Sequence, residues 1–104
     1  MYIYNITFAA EASRLDRLIS WIRTEAVPRL ATDPASDPEL SVVEGVEAEA
    51  DMVKSVALQL RFGSLADLER WQEEAFAPTM EIYAREFAPE PLFFATLLRR
   101  LPLK

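Results

Sequence analysis

Histidine and cysteine are both absent from this 104-residue chain, and glycine occurs only twice, as Gly45 and Gly63. Without cysteine there is no disulfide framework, no thiol nucleophile and no thiolate-held zinc or iron–sulfur cluster. Without histidine the chain lacks the usual general base at neutral pH, the usual partner of a catalytic serine and the commonest transition-metal and haem ligand. Two isolated glycines cannot write GxGxxG or a Walker A loop. Neither a cofactor nor a metal ion is therefore expected. The formal net charge of −6 has the wrong sign for a nucleic-acid binder. No apolar run approaches the roughly 20 residues of a membrane span. The opening MYIYNITFAA has no basic segment and reads as a strand rather than a signal peptide. These exclusions point to a cytoplasmic chain with no membrane or nucleic-acid partner.

What is present suits a compact fold. Hydrophobic residues make up 51% and charged residues 27% of the chain, an ordinary globular composition. At this length about two thirds of the surface can be buried, enough for one domain over residues 1–104. The strongest organising signal is an internal repeat, 1–50 against 51–104. Leu15, Leu18, Trp21 and Pro28 recur as Leu65, Leu68, Trp71 and Pro78 at a constant offset of 50 residues. Ile3, Ile6 and Phe8 likewise correspond in character to Val53, Val56 and Leu58.

Each half reads as strand, helix, strand. Residues 2–9 are rich in aromatic and β-branched side chains. From about Ser13, Leu15, Leu18, Ile19, Ile22, Ala26 and Leu30 mark one face of a helix, and the run from Thr32 to Pro38 reads as a loop. Leu40, Val42, Val43 and Val46 suggest a second strand and Val53 to Phe62 a third, with a hairpin turn over Glu47 to Asp51. Ser64 followed by Asp67 is a capping-box signal for a second helix. That helix directs Leu65, Leu68, Trp71, Ala75, Ile82 and Phe87 to the core. Pro89 and Pro91 end it, and Leu92 to Leu98 forms the fourth strand. Pro28 and Pro78 are expected to kink or stop their helices and to free carbonyls in the preceding turn.

The order βαββαβ with a pseudo-repeat is the ferredoxin-like α+β plan, a four-stranded antiparallel sheet with two helices on one face. Strand alternation then assigns the faces. Tyr4, Ile6, Phe8, Val56, Leu58, Leu60 and Phe62 face the helices. Ile3, Asn5, Thr7, Ser55, Ala57, Gln59 and Arg61 face away. The polar members of that second set, Asn5, Thr7, Ser55, Gln59 and Arg61, are the candidate ligand-binding residues. A guanidinium at Arg61 can grip a carboxylate or phosphate bidentately. With Ile3, Val53 and Ala57 interleaved, the face suits a covering partner.

Four segments carry a resemblance: Tyr4-Asn5-Ile6-Thr7, Trp21-Ile-Arg-Thr-Glu-Ala-Val-Pro28, Phe76-Ala-Pro78 and Phe93-Phe-Ala-Thr-Leu-Leu98. Together they resemble a bacterial domain-of-unknown-function family of about this length. The resemblance implies ferredoxin-like subunits that pair sheet to sheet as dimeric α+β barrels, with no assigned activity. It also implies a histidine at the positions that are Ala26 and Phe76 here, so no role that needs imidazole carries over to those sites.

The reading that follows is a homodimeric ligand-binding or interaction module, paired through the sheet face, with no catalytic residues of its own and a small molecule as a possible ligand. The alternative is a cofactor-independent dimeric-barrel oxygenase or isomerase acting on a small organic acid, with Arg61 holding substrate and Tyr4 or Tyr83 as acid. A ligand-sensing subunit of a larger assembly is a third reading. Glu69, Glu73 and Glu74 read as a solvated helix face, and Glu44, Glu47, Glu49 and Asp51 as an acidic hairpin tip without the EF-hand pattern. Trp71 reads as core, while Trp21, about 120° from Leu15 on a helical wheel, fits either the core edge or a partner contact.

Overall fold

The computed structural model describes residues 1–44, 53–89 and 91–103. Its strands are β1 (Tyr2–Glu11), β2 (Ser36–Val42), β3 (Val53–Phe62) and β4 (Leu92–Arg99). They form one antiparallel sheet in the order β2-β3-β1-β4. The homologous strands of the two halves, β1 and β3, therefore pair at its centre. Both helices lie on one face, and the molecule is only 18 Å thick against 40 and 35 Å in its other dimensions. This is the ferredoxin-like α+β arrangement. Among the described residues no helix is long and apolar enough to cross a membrane.

The core lies between sheet and helices. Tyr4, Ile6 and Phe8 from β1 and Val56, Leu58, Leu60 and Phe62 from β3 are all buried, as period-2 alternation requires. The second strand begins earlier than the prolines suggested. β2 starts at Ser36, inside the expected loop, because a bulge between Ser36 and Glu39 takes up Asp37 and Pro38. Asp37 sits at φ 50°, a conformation aspartate tolerates better than most residues. Val43 follows the strand and its N–H still donates to the Ser55 carbonyl at 2.9 Å. Val46 and the expected hairpin turn fall outside the described residues.

Neither proline stops its helix. The first helix runs through a 3-10 turn (Ala12–Arg14), α1 (Leu15–Trp21), a π turn (Ile22–Ala26) and α2 (Val27–Leu30). The second runs through α3 (Leu65–Trp71), a π turn (Gln72–Phe76) and α4 (Ala77–Glu86). The two π turns repeat at the same 50-residue offset as the sequence, each just ahead of its proline. A proline cannot donate to the residue four before it, and its ring crowds that carbonyl. One extra residue in the preceding turn relieves the crowding and lets the helix continue. The side chain after each proline returns to the next carbonyl along, three residues before the proline. Arg29 Nη1 donates to Glu25 O at 2.9 Å, and Thr79 Oγ1 to Ala75 O at 2.7 Å. Those two carbonyls are thus satisfied by side chains of the protein.

The extra residue also rotates the buried stripe. Beyond its π turn the second helix buries Thr79, Met80, Tyr83 and Phe87, with Ile82 only half-buried. A uniform 3.6-residue wheel had favoured Ile82. Leu65, also expected inside, is 40% exposed at the helix start. Ser64 caps that start, its side chain accepting from Asp67 N–H at 3.1 Å. Trp21 is buried, its ring against Phe8, Tyr83 and Phe87. Leu15, the wheel's reference, lies at the edge of the true stripe, which made Trp21 look displaced.

Hydrogen bonds also tie the helices together. At one end Arg17 donates to the Glu86 carbonyl at 2.8 Å and its guanidinium stacks 4.6 Å from the Phe87 ring centre. In the interior, Trp71 Nε1 donates to the carbonyl of Leu30, the last residue of α2, at 2.8 Å. A carbonyl at a helix end has no partner within its helix, so the indole supplies what the fold would otherwise leave bare. Trp71→Phe keeps most of the ring but orphans that buried acceptor, at a cost of about 1–3 kcal/mol. Urea unfolding of the variant should show this loss. A shift under about 0.5 kcal/mol would mean that the bond holds nothing.

Candidate functional site

The sheet face turned away from the helices is built from odd-numbered β1 residues and their partners. In one row Ile3 lies between Arg61 on β3 and Leu98 on β4. In the next, Asn5 lies between Gln59 and Thr96, then Thr7 between Ala57 and Phe94, and Ala9 between Ser55 and Leu92. On β2, Ser36 faces Arg61, Glu39 faces Gln59 and Ser41 faces Ala57. The structure thus places all five candidate residues on this face, but not in one cluster. Asn5, Thr7 and Gln59 form the centre. Arg61 is one row to one side, and Ser55 is one row to the other, about 20 Å from Arg61 along β3 at 3.3 Å per residue.

The centre is polar and incompletely satisfied. Asn5 Nδ2 donates to Thr7 Oγ1 at 3.2 Å, and Thr7 is only 7% exposed despite its position on an open face. Asn5 Oδ1 is enclosed with no hydrogen-bond partner. Turning the amide over would only exchange the orphan, leaving the nitrogen without a partner instead. Arg61 Nη2 stands 3.9 Å from Glu39 Oε1, and the glutamate side chain is 61% exposed. A pair this long and this wet contributes well under about 1 kcal/mol, so the guanidinium fork remains available to an anion.

Around this centre the face is apolar. Phe94 is 61% exposed, Leu92 45%, Leu98 43%, Val43 50% and Val53 51%. The β4 contribution was not legible from alternation, because Leu92–Leu98 is apolar on both faces. That of β2 was masked by Pro38, which reads as a loop signal.

The two tyrosines considered as acids do not reach this face. Tyr4 points into the core, where its hydroxyl accepts from Gln72 Nε2 at 3.1 Å. The Tyr83 hydroxyl donates to the Leu92 carbonyl at 2.7 Å. Burial pushes its pKa up to about 12, against the opposing pull of Arg14. A phenol so placed holds its proton at neutral pH. Glu69, Glu73 and Glu74 are exposed, and neighbouring Arg70 pairs with Asp67 at 3.1 Å instead. Among the described residues no group of acidic side chains is placed to hold a metal ion. Of the acidic run, Glu47, Glu49 and Asp51 fall outside the described residues. Ala26 and Phe76 are the last residues of the two π turns. Ala26 is fully buried, and Phe76 packs against Tyr4, Trp71 and Phe93.

A second cleft, about 390 Å³, lies on the helix side beside the second π turn, lined by Trp71, Glu74, Pro78 and Arg29 among others. Its Arg29 is already held by Glu25 at 3.0 Å and the Thr79 hydroxyl by the Ala75 carbonyl, which leaves it fewer convergent free groups than the sheet face.

Comparison with known proteins bears on the whole chain. The profile of a family described as "Domain of unknown function (DUF4286)" matches residues 1–101. No curated protein matches at significant similarity. Among solved structures, a Bacillus cereus protein provisionally described as an antibiotic biosynthesis monooxygenase superposes with a TM-score of 0.64. It is 14% identical, over 99% of this chain and 95% of its own. At that identity the likeness is one of fold.

The buried phenol makes a testable difference at high pH. Folded chains keep the Tyr83 proton up to about pH 12, whereas unfolded chains release it near pH 10. Stability contributed by this group is complete below pH 10 and falls as pH rises from about 10 to about 12. Urea midpoints of wild type and Tyr83→Phe should converge over that window. Parallel pH profiles would mean that Tyr83 titrates normally.

Proposed function

The chain belongs to the family of unknown function DUF4286, and from its open sheet face we propose that it acts as a homodimeric ligand-binding module. Two copies pair sheet to sheet and enclose a small molecule between them. The observation that carries this reading is the composition of the face: exposed apolar side chains around a polar centre in which Asn5 Oδ1 lacks a partner.

Each part of that composition has a physical consequence. Four strands about 4.8 Å apart and seven to ten residues long make a face of roughly 19 by 29 Å. That is about 550 Å² before side-chain relief, against the roughly 800 Å² per partner of a standard interface. Exposed apolar patches of this size mark interaction sites, and Phe94, Leu92 and Leu98 are the side chains that a second sheet would bury. A fully apolar closure would strand Asn5, Thr7, Gln59 and Thr96, at a cost of about 1–3 kcal/mol for each group left without a partner. The centre therefore requires hydrogen-bonding content, and Arg61 beside it selects for a carboxylate or another oxyanion.

The enzymatic alternative draws on the fold it shares with the Bacillus cereus protein. In this chain neither tyrosine can serve as its acid, since both lie on the helix side, and Glu39, a carboxylate on the face, stands beside Arg61. Binding is the better supported role.

Phe94→Asp puts a charge in the middle of the proposed contact while leaving the helix-facing core untouched. Sedimentation equilibrium should show the wild type as a dimer in the low micromolar range and the variant at least 100-fold weaker, with unchanged far-ultraviolet circular dichroism. Equal association of both would remove the sheet face from the interface.

A further inference from the structure

The open face carries its central charges as a neighbouring pair. In the three rows that run through Ile3, Asn5 and Thr7, Arg61 and Glu39 are the charged side chains. Arg61 Nη2 stands 3.9 Å from Glu39 Oε1. A regular β2 would not present its residues this way. Ser36 and Glu39 are three apart, and period-2 alternation sends such residues to opposite faces. The bulge sets Asp37 and Pro38 together against Leu60, so Ser36 and Glu39 both reach the open face. Asp37 takes φ 50° to do so, a conformation with a steric cost for any side chain. The Ser36 hydroxyl donates to the Arg61 carbonyl at 3.3 Å and fixes the bulge against β3. Strained backbone is thus spent on setting a carboxylate beside Arg61.

We propose that the ligand of this face is a zwitterion, an α-amino acid with an apolar side chain, its carboxylate on Arg61 and its ammonium on Glu39. The inference rests on the sheet-face binding reading and narrows its ligand. Charges withdrawn from water have to be balanced. A lone arginine under a closing partner would select a net anion, but Glu39 already balances Arg61. A simple carboxylate added to this pair leaves one negative charge uncompensated between the sheets. A zwitterion brings both signs and leaves none. At 3.9 Å the pair is too long for a direct hydrogen bond, so guanidinium N–H groups and carboxylate lone pairs both remain for a ligand. In an α-amino acid the ammonium nitrogen and the carboxylate carbon are two bonds and about 2.5 Å apart. Each of its charges can therefore meet its opposite without parting the protein's pair. The remaining substituent lies along the Arg61 row, where Ile3 and then Leu98 follow. Leu98 is 43% exposed there, so that substituent is apolar.

Removing the amine from the ligand, or the charge from Glu39, separates this reading from plain carboxylate binding. Isothermal titration of the full chain with valine, leucine, isoleucine, methionine and phenylalanine is set beside titration with the des-amino acid of each. The wild type should bind at least one amino acid about tenfold tighter than its des-amino counterpart, the scale of one charge-assisted hydrogen bond. Glu39→Gln, at an exposed side chain, should keep its circular dichroism and reverse that order. Arg61→Gln should weaken both ligands. A wild type that binds the des-amino acids as tightly as the amino acids would overturn the inference, and so would a Glu39→Gln chain with an unchanged ratio. Either result leaves a carboxylate-binding dimer standing. A wild-type dimer that binds neither set would remove the ligand reading of the face, and this inference with it.

Discussion

Two helices can cover one face of a four-stranded sheet and no more. The helix layer here satisfies β1 and β3 so well that Ile6, Phe8, Val56, Leu60 and Phe62 are fully enclosed. Among the described residues none covers the opposite face, and all eight residues of the outer strand β4 are exposed. A strand reading Leu-Phe-Phe-Ala-Thr-Leu-Leu is built for burial on both sides. The chain thus carries more apolar surface than its own fold can hide, and the proposed pairing follows from that surplus.

The helix layer depends in turn on how the chain handles Pro28 and Pro78. A plain α-helix would lose a hydrogen bond and bend at each. The two π turns absorb both, and the side chains of Arg29 and Thr79 bond carbonyls at equivalent positions of the repeat by different chemistry. The repeat is therefore structural as well as textual. It breaks at the indoles: Trp71 donates across to Leu30, whereas Trp21 packs by ring contacts with Phe8, Tyr83 and Phe87.

Much of this was legible in the letters, for reasons that also explain the rest. Alternation in β1 and β3 was clear because one face is apolar and the other mixed, so the facing of Asn5, Thr7, Gln59 and Arg61 could be read directly. Alternation in β4 was hidden by being apolar throughout, which concealed Phe94 and Leu98. The buried set of the second helix slipped after Phe76 because periodicity assumes a constant turn, and one inserted residue moves the stripe by about 100°. Tyr83 and Met80 were lost that way. Distances across the sheet, such as the 3.9 Å between Arg61 and Glu39, depend on a bulge at Asp37 and Pro38 that reads as a loop.

A ligand held between two copies would be retained only while both halves of the cavity exist, so oligomeric state and ligand retention are one question. Native mass spectrometry of gently purified protein reads both together. A species at twice the 11.8 kDa chain mass, carrying additional mass that is lost when the dimer dissociates, is the predicted result. A bare monomer at micromolar concentration would contradict the account and leave the polar centre around Asn5 as plain solvated surface.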